Sequence, residues 1–354
     1  IEQRESVRRG RLTGARVCDG ADVIGDIAGA LQRFLKRRPQ PRMVFDQKEA
    51  HSRNSSGFRK VGANTLSSQE RCSMLNALAH VVPFTPYPYV GEAAPCNLCG
   101  SDETRLICDT DRRWKPLRTV ACTECGLMRT DPMPTEHELD VYYRHVYRLD
   151  YQAAGDEPPK YHLVRSWREA RARAAHLGSL LIPGARVLDF GCGTGEFLKI
   201  ATDSGCSVLG IEPSEAYAAY ARRTHGIDVL CAGWRECQLP EGSFDLIVCR
   251  EVLEHLREPV DAIGAIAKWL KPGGAAYLAV PDMRANDKPS FERFHFAHVH
   301  GFTPETFAAA AARHGLAARA GETAHSTKLI FQKREASHYP LRDRSRSEAI
   351  VRQY

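Results

Sequence analysis

Val187-Leu-Asp-Phe-Gly-Cys-Gly-Thr-Gly195 reads as a buried strand that ends in a glycine-rich turn, and the chain from Gly195 to Ser204 continues as a helix. Glycine adopts positive φ readily and lets a ligand approach the backbone. Open α/β sheets bind ligands at strand ends of this kind. The turn's amides and the helix N-terminus can meet polar groups of a cofactor. The spacing discriminates between cofactors. The glycines stand at 191, 193 and 195, and Glu196 occupies the place where the dinucleotide fingerprint needs its third glycine. A P-loop's Gly-Lys-Ser/Thr is absent from the turn. Asp189 would repel a pyrophosphate, yet it suits a cofactor that carries a cationic amine.

Further along, Gly210-Ile-Glu-Pro-Ser214 puts Glu212 at the end of the next strand, where an acidic side chain can accept both hydroxyl protons of a ribose. Around these marks helical and strand patterns alternate, which predicts βαβ units and a mostly parallel sheet. Strands are expected at Arg186–Phe190, Ser207–Ile211, Ile227–Cys231, Phe244–Cys249 and Ala275–Val280, with two late ones near Ala317–Gly321 and Lys328–Gln332. Helices are expected at Trp167–Leu181, Gly195–Ser204, Ser214–Thr224, Pro259–Leu270 and Pro304–His314, the last closed by Gly315. A further helical pattern at Val23–Leu35 lies far upstream.

Asp189 to Gly195, Glu212, Phe244-DLIVCREVLEH-Leu256 and Leu270-KPGGAAYLAV-Pro281 resemble the successive motifs of class I S-adenosylmethionine-dependent methyltransferases. The resemblance covers roughly Arg165 to Gln332. It implies a Rossmann-like, seven-stranded, mostly parallel sheet whose last strand is antiparallel. It also implies that Asp189, Gly191 and Gly193 surround the methionine part of the cofactor and that Glu212 holds the ribose. Cys192 and Gly195 in the turn, Pro213 after the second strand and Arg250 after the fourth complete the expected cofactor site. Many members carry an Asp near the adenine where this chain has Cys237, so the adenine contacts stay open.

Upstream, Cys96-Asn-Leu-Cys99-Gly and Cys122-Thr-Glu-Cys125-Gly are two matched turns, each aiming two thiolates at one centre. Four thiolates make the closed tetrahedral set of a structural zinc site. A segment this short has too little core to fold alone, so the metal would supply folding energy. Cys96 to Tyr151 also resembles the zinc-binding leader of many bacterial methyltransferases of saccharide and secondary-metabolite pathways, which favours a small-molecule or glycan acceptor.

Methyl transfer needs donor and acceptor aligned, and often a group to remove a proton. Glu254 and His255 follow the fourth strand, while His295, His298 and His300 follow the fifth, all on the cofactor edge. Glu254, His255 and His298 are the candidate catalytic residues. Glu251-x-x-Glu254-His255 with His298 also resembles the metal-binding set of small-RNA 2′-O-methyltransferases and, in part, of ubiquinone-pathway O-methyltransferases, so a second divalent ion is a candidate there. The competing reading has Glu254 and His255 capping or orienting the next helix.

With 354 residues the chain has room for two domains. The expected division is a basic, poorly ordered leader (1–90), the zinc module (91–133), a helix and linker (134–159), the methyltransferase domain (160–335) and a charged, mobile or helical tail (336–354). The +6 net charge lies wholly ahead of Met74, where 15 Lys/Arg face 8 Asp/Glu and the remainder sums to about −1; this basic leader could touch nucleic acid or anionic lipid. No apolar run is long enough to cross a bilayer. Twelve cysteines in this pattern point to metal ligation and buried thiols in a cytoplasmic protein, not to a disulfide framework. The expected function is methylation of a small molecule, sugar or lipid head group at O or C. The alternatives are an RNA methyltransferase and a non-catalytic zinc-binding interaction protein on the same scaffold. Oligomeric state is not legible.

Overall fold

A computed structural model describes residues 79–147, 158–284, 293–322, 326–334 and 340–354. The Val23–Leu35 pattern lies outside the described residues. In the small N-terminal part, β1 (Thr104–Thr110), β2 (Pro116–Cys122) and β3 (Met128–Thr130) form an antiparallel meander. Cys96 and Cys99 precede β1, and Cys122 and Cys125 sit at the β2–β3 turn. A helix, α1 (Glu136–Val141), follows with a capping box between Thr135 and Glu138, and it runs into a π-helical turn at Tyr142–Val146.

The downstream part alternates as the periodicity predicts. After α2 (Lys160–His176) come β4 (Arg186–Phe190), α3 (Glu196–Asp203), β5 (Ser207–Ile211), α4 (Glu215–His225), β6 (Val229–Leu230) and β7 (Phe244–Arg250). Then follow α5 (Pro259–Trp269), β8 (Leu270–Ala279), β9 (His300–Gly301), α6 (Pro304–Ala312), β10 (Leu316–Ala318), β11 (Lys328–Lys333) and α7 (Arg344–Val351). Seven strands make one sheet in the order β10-β11-β8-β7-β4-β5-β6. Pairing is parallel from β8 to β6, and β11 runs antiparallel to both its neighbours. This is the Rossmann-like arrangement the motifs imply.

The sheet is buried on both faces, which is why its strands read as nearly unbroken apolar runs. Alternate residues divide between the faces. Val187, Leu246 and Val248 pack under α2, α3 and α4, together with Ala170, Phe197 and Ala218. Leu188, Phe190, Ile247 and Cys249 pack under α5 and α6, together with Ile263, Ile266 and Phe307. Asp189 shares the first of these faces by parity.

Element ends depart from expectation at identifiable places. Helix α2 begins at Lys160 rather than Trp167, because Pro159 is extended and releases the chain directly into the helix. Strand β6 pairs over two residues only. Strand β8 starts at Leu270, since Leu270 already pairs with Phe244 ahead of a register shift.

Two findings change the picture of a separate zinc module behind a loose leader. Residues 79–90, assigned from composition to a poorly ordered leader, are docked. Lys115 is fully buried, and its Nζ donates to Ala79 O, Val82 O and Thr85 Oγ1 at 2.7–2.9 Å. The Tyr87 hydroxyl donates to Asp111. Burying such a cation requires these partners, so the segment that supplies them is held in place. The small sheet also takes its fourth strand from downstream: β9 pairs with β3, and Cys96, Leu98, Cys122, Cys125 and Leu127 join the α5/α6 core. Among the described residues no helix is long and apolar enough to cross a membrane.

Candidate functional site

The glycine turn leaves β4 and enters α3. Gly191, Gly193 and Gly195 all have positive φ, at 82°, 58° and 86°, which only glycine adopts without strain. Their surroundings differ. A Cβ on Gly191 would lie 2.4 Å from Val252 Cγ2, and one on Gly195 would lie 2.6 Å from Ile227 Cδ1. Those two glycines also let neighbouring elements pack closely. A Cβ on Gly193 would meet nothing within 4 Å, so Gly193 faces open space.

That space is rimmed by acids. Glu212 accepts from Gly193 N at 3.0 Å and from Ser214 N at 2.9 Å, which ties the end of β5 to the turn. Asp189 is 3% exposed, and burial pushes its carboxyl up to about 6 against the pull of Arg173 and Arg250. Glu196 accepts from Thr194 Oγ1 at 2.6 Å, while its buried Oε1 has no partner, and burial raises its carboxyl too. Three buried acids beside an open cradle fit a ligand that carries positive charge.

The other expected cofactor residues are placed less uniformly. The Cys192 side chain turns inward against Gly210, whose lack of a Cβ makes room for its Sγ, so its thiol is core rather than rim. Pro213 is exposed after Glu212. Arg250 bridges Glu169 of α2 at 2.9 Å and Glu251 at 2.7 Å. Arg173 and Glu169 were missed from sequence. Their signal, charged residues four apart on one helix, is shared by many solvated helix faces. Cys237 closes the 3₁₀ turn after β6, its Sγ reaching Gly233 O.

A second cluster forms where the loops after β7 and β8 meet. Glu254, His255 and His298 bring their ligand atoms within 4.8 Å of one another. Glu254 is 1% exposed, and both its carboxylate oxygens lack hydrogen-bond partners. Burial drives its carboxyl up to about 8. His255 Nε2 and His298 Nε2 each lie 3.9 Å from Glu254 Oε1. His255 Nδ1 is 2.7 Å from Ala297 O and 2.9 Å from the Tyr143 hydroxyl, which itself donates to Ala297 O. The carbonyl therefore assigns the proton to Nδ1 and leaves the Nε2 lone pair facing Glu254. Burial holds His255 at about 4, and so neutral.

Several expectations are corrected here. Glu251, included in the possible metal set, is not gathered with the others, because its side chain turns out to Arg250. Neither Glu254 nor His255 caps the next helix. Glu258 occupies the N-cap position of α5, and Asn97 Oδ1 of the first cysteine turn accepts from Val260 N at 2.8 Å. His300 lies in β9, its Nδ1 held by Leu256 O at 3.0 Å, apart from the cluster. The His295 ring packs against that of His298, with ring centres 3.8 Å apart and planes inclined at 47°.

The four cysteines converge. Cys96 and Cys125 Sγ atoms are 3.4 Å apart, those of Cys99 and Cys122 are 3.5 Å apart, and all four lie within 4.8 Å. Metal–sulfur bonds of about 2.3 Å in a tetrahedron give sulfur–sulfur edges of about 3.8 Å, so the donors fit one zinc. Both turns share a geometry: Gly100 N donates to Cys96 O and Gly126 N to Cys122 O, each at 2.8 Å.

Comparison with known proteins bears on the fold and on the kind of enzyme it resembles. Residues 160–320 match the family model of a methyltransferase domain. The matched stretch holds the glycine turn and six strands of the seven-stranded sheet. Among curated proteins, the chain is 34% identical over 120 residues to the ubiquinone biosynthesis O-methyltransferase of Pseudomonas aeruginosa (strain LESB58), covering 32% of this chain and 48% of that one. It is 35% identical over 105 residues to the corresponding protein of Hahella chejuensis (strain KCTC 2396), covering 28% and 44%. The chain thus spans about half the length of the curated relatives it matches. A solved S-adenosylmethionine-dependent methyltransferase from Mesorhizobium loti aligns at 21% identity with a TM-score of 0.37, over 46% of this chain and 96% of that one.

Proposed function

We propose that this protein transfers a methyl group from S-adenosylmethionine to an oxygen, or an acidified carbon, of a small molecule, sugar or lipid head group. The observation that carries the reading is the cradle at Gly193, open and rimmed by Glu212 and the buried acids Asp189 and Glu196. When bound, the cofactor supplies an electrophilic methyl on a sulfonium. Asp189 would meet its amine, and Glu212 would accept from the ribose hydroxyls. Gly191 and Gly195 hold the turn closed around it. The curated relatives, named as O-methyltransferases of ubiquinone biosynthesis, support a small-molecule acceptor.

Glu254, His255 and His298 would act on the acceptor. Two neutral imidazole nitrogens and a carboxylate with both oxygens unpartnered are the donor set of a divalent cation. Bound there, a cation would make an acceptor hydroxyl more acidic. The His255 Nδ1–Ala297 O contact is the kind of outer support that orients a ligating imidazole. The four cysteines would hold a structural zinc with no open position. Cysteines outside disulfides, as all ten described ones are, support a reducing compartment such as the cytoplasm.

Calorimetric titration with S-adenosylhomocysteine, alongside NAD, tests the reading. Micromolar binding of the first and none of the second is expected. Absence of binding to S-adenosylhomocysteine would overturn it.

A further inference from the structure

Each cysteine turn is held from outside by a different part of the chain. The first is fixed by the methyltransferase domain. Arg313, at the end of α6, donates to Leu98 O at 2.5 Å and Asn97 O at 3.3 Å, and Asn97 in turn caps α5. The second is fixed by the last fifteen residues. Asp343 N donates to Glu124 O at 2.6 Å, and Arg344 Nε pairs with Glu124 Oε1 at 2.7 Å. Arg346 Nε donates to Cys125 O at 3.1 Å, and its Nη2 to Leu341 O at 3.0 Å. Ser347 Oγ donates to Cys122 O at 2.7 Å. Ile350 lies so close to Gly126 that a Cβ there would stand 2.6 Å from its Cδ1. Ser347 and Ile350 are both buried by this docking.

We propose that α7 is a clamp that retains the metal of the four-cysteine centre by fixing the Cys122–Gly126 turn; this rests on the zinc reading above. A tetrathiolate centre loses its metal stepwise, and the first thiolates to leave must swing outward with their turn. The α7 contacts oppose that swing at four of the turn's five residues. An eight-residue helix does not persist by itself in water, so α7 exists because it is docked. Its far end is anchored as well. The Tyr354 hydroxyl donates to Met283 O, and Arg293 Nη1 donates to the same carbonyl at 2.6 Å. Metal and helix therefore stabilise each other, as linkage requires.

The test uses the zinc-loaded full chain and a chromogenic chelator. Ser347→Ala combined with Arg346→Gln should release zinc about tenfold faster than the unaltered protein, the scale of lost outer-shell support. Zinc content at the start and S-adenosylhomocysteine affinity should be unchanged. A release rate equal to that of the unaltered protein, with cofactor affinity intact, would overturn the clamp. A second measurement needs no variant: on removing zinc, amide exchange across residues 344–351 should accelerate, and unchanged protection would equally overturn it. An unaltered protein that holds no zinc would sink the four-cysteine reading itself, whereas one that holds zinc independently of α7 would sink only the clamp.

Discussion

Gly193 separates a glycine required by a ligand from one required by packing. In Gly193→Ala the new methyl enters open space, so the folded protein bears only the strain of a left-handed alanine at φ 58°, about 1–2 kcal/mol. In a domain of this size that lowers Tm by about 2–4 °C per kcal/mol. The methyl occupies the space in which the cofactor is proposed to sit. Overpacking a well-fitted contact costs about 1–3 kcal/mol, which corresponds to an affinity loss of about 5- to 150-fold. Gly191→Ala is the counterpart. Its methyl would sit 2.4 Å from Val252 Cγ2, so strain and overpacking add to a stability loss of about 2–5 kcal/mol. The assay is a pair of measurements on each variant, thermal unfolding without ligand and calorimetric titration with S-adenosylhomocysteine. Gly193→Ala should lose affinity and keep most of its stability, and Gly191→Ala should lose stability first. Unchanged cofactor affinity in Gly193→Ala would refute the placement of the cofactor at this turn.

Asp189 gives a pH signature. Its carboxyl is raised from 3.8 to about 6 in the folded protein, so its favourable contribution is complete below the unfolded value and lost as pH climbs through about 6. Asp189→Asn should therefore stabilise the ligand-free protein at pH 8 by up to roughly 3 kcal/mol while abolishing cofactor binding; equal stability of the two proteins at pH 8 would count against the buried charge. Cys96→Ser should reduce zinc, measured by atomic absorption, to near zero and destabilise the β1–β2 hairpin; full zinc content would refute the four-cysteine assignment. Glu254→Gln should weaken Mn²⁺ binding, followed by electron paramagnetic resonance, by at least about tenfold and leave S-adenosylhomocysteine affinity unchanged. Undiminished Mn²⁺ binding would remove the second metal site.

The Rossmann-like sheet was legible because its order is written locally. Apolar runs such as Val187–Phe190 and Phe244–Cys249 show period and length on their own, and glycines with positive φ punctuate the strand ends. Boundaries were less legible where a neighbour rather than the segment sets them, as with β6, which pairs over two residues at the sheet edge. Asp189 and Glu212 were readable from their position along the strands, whereas Glu196 was read only as a departure from a dinucleotide fingerprint. Arg173 and Glu169 were not, because α2 brings them to Asp189 and Arg250 only after the helix packs on the sheet.

By itself the sequence determined the parallel sheet, the glycine turn with Asp189 and Glu212, and the two paired cysteine turns. Each depends on residues close along the chain, where spacing dictates geometry. Tertiary structure alone decided that Glu254 loses its solvent and meets two histidines, and that Glu251 turns away to Arg250. It also decided that Asn97 caps a helix 163 residues downstream and that Ser347 reaches Cys122 across 225 residues. Those outcomes depend on which surfaces exclude water together, and no local spacing records which distant segments will share a core.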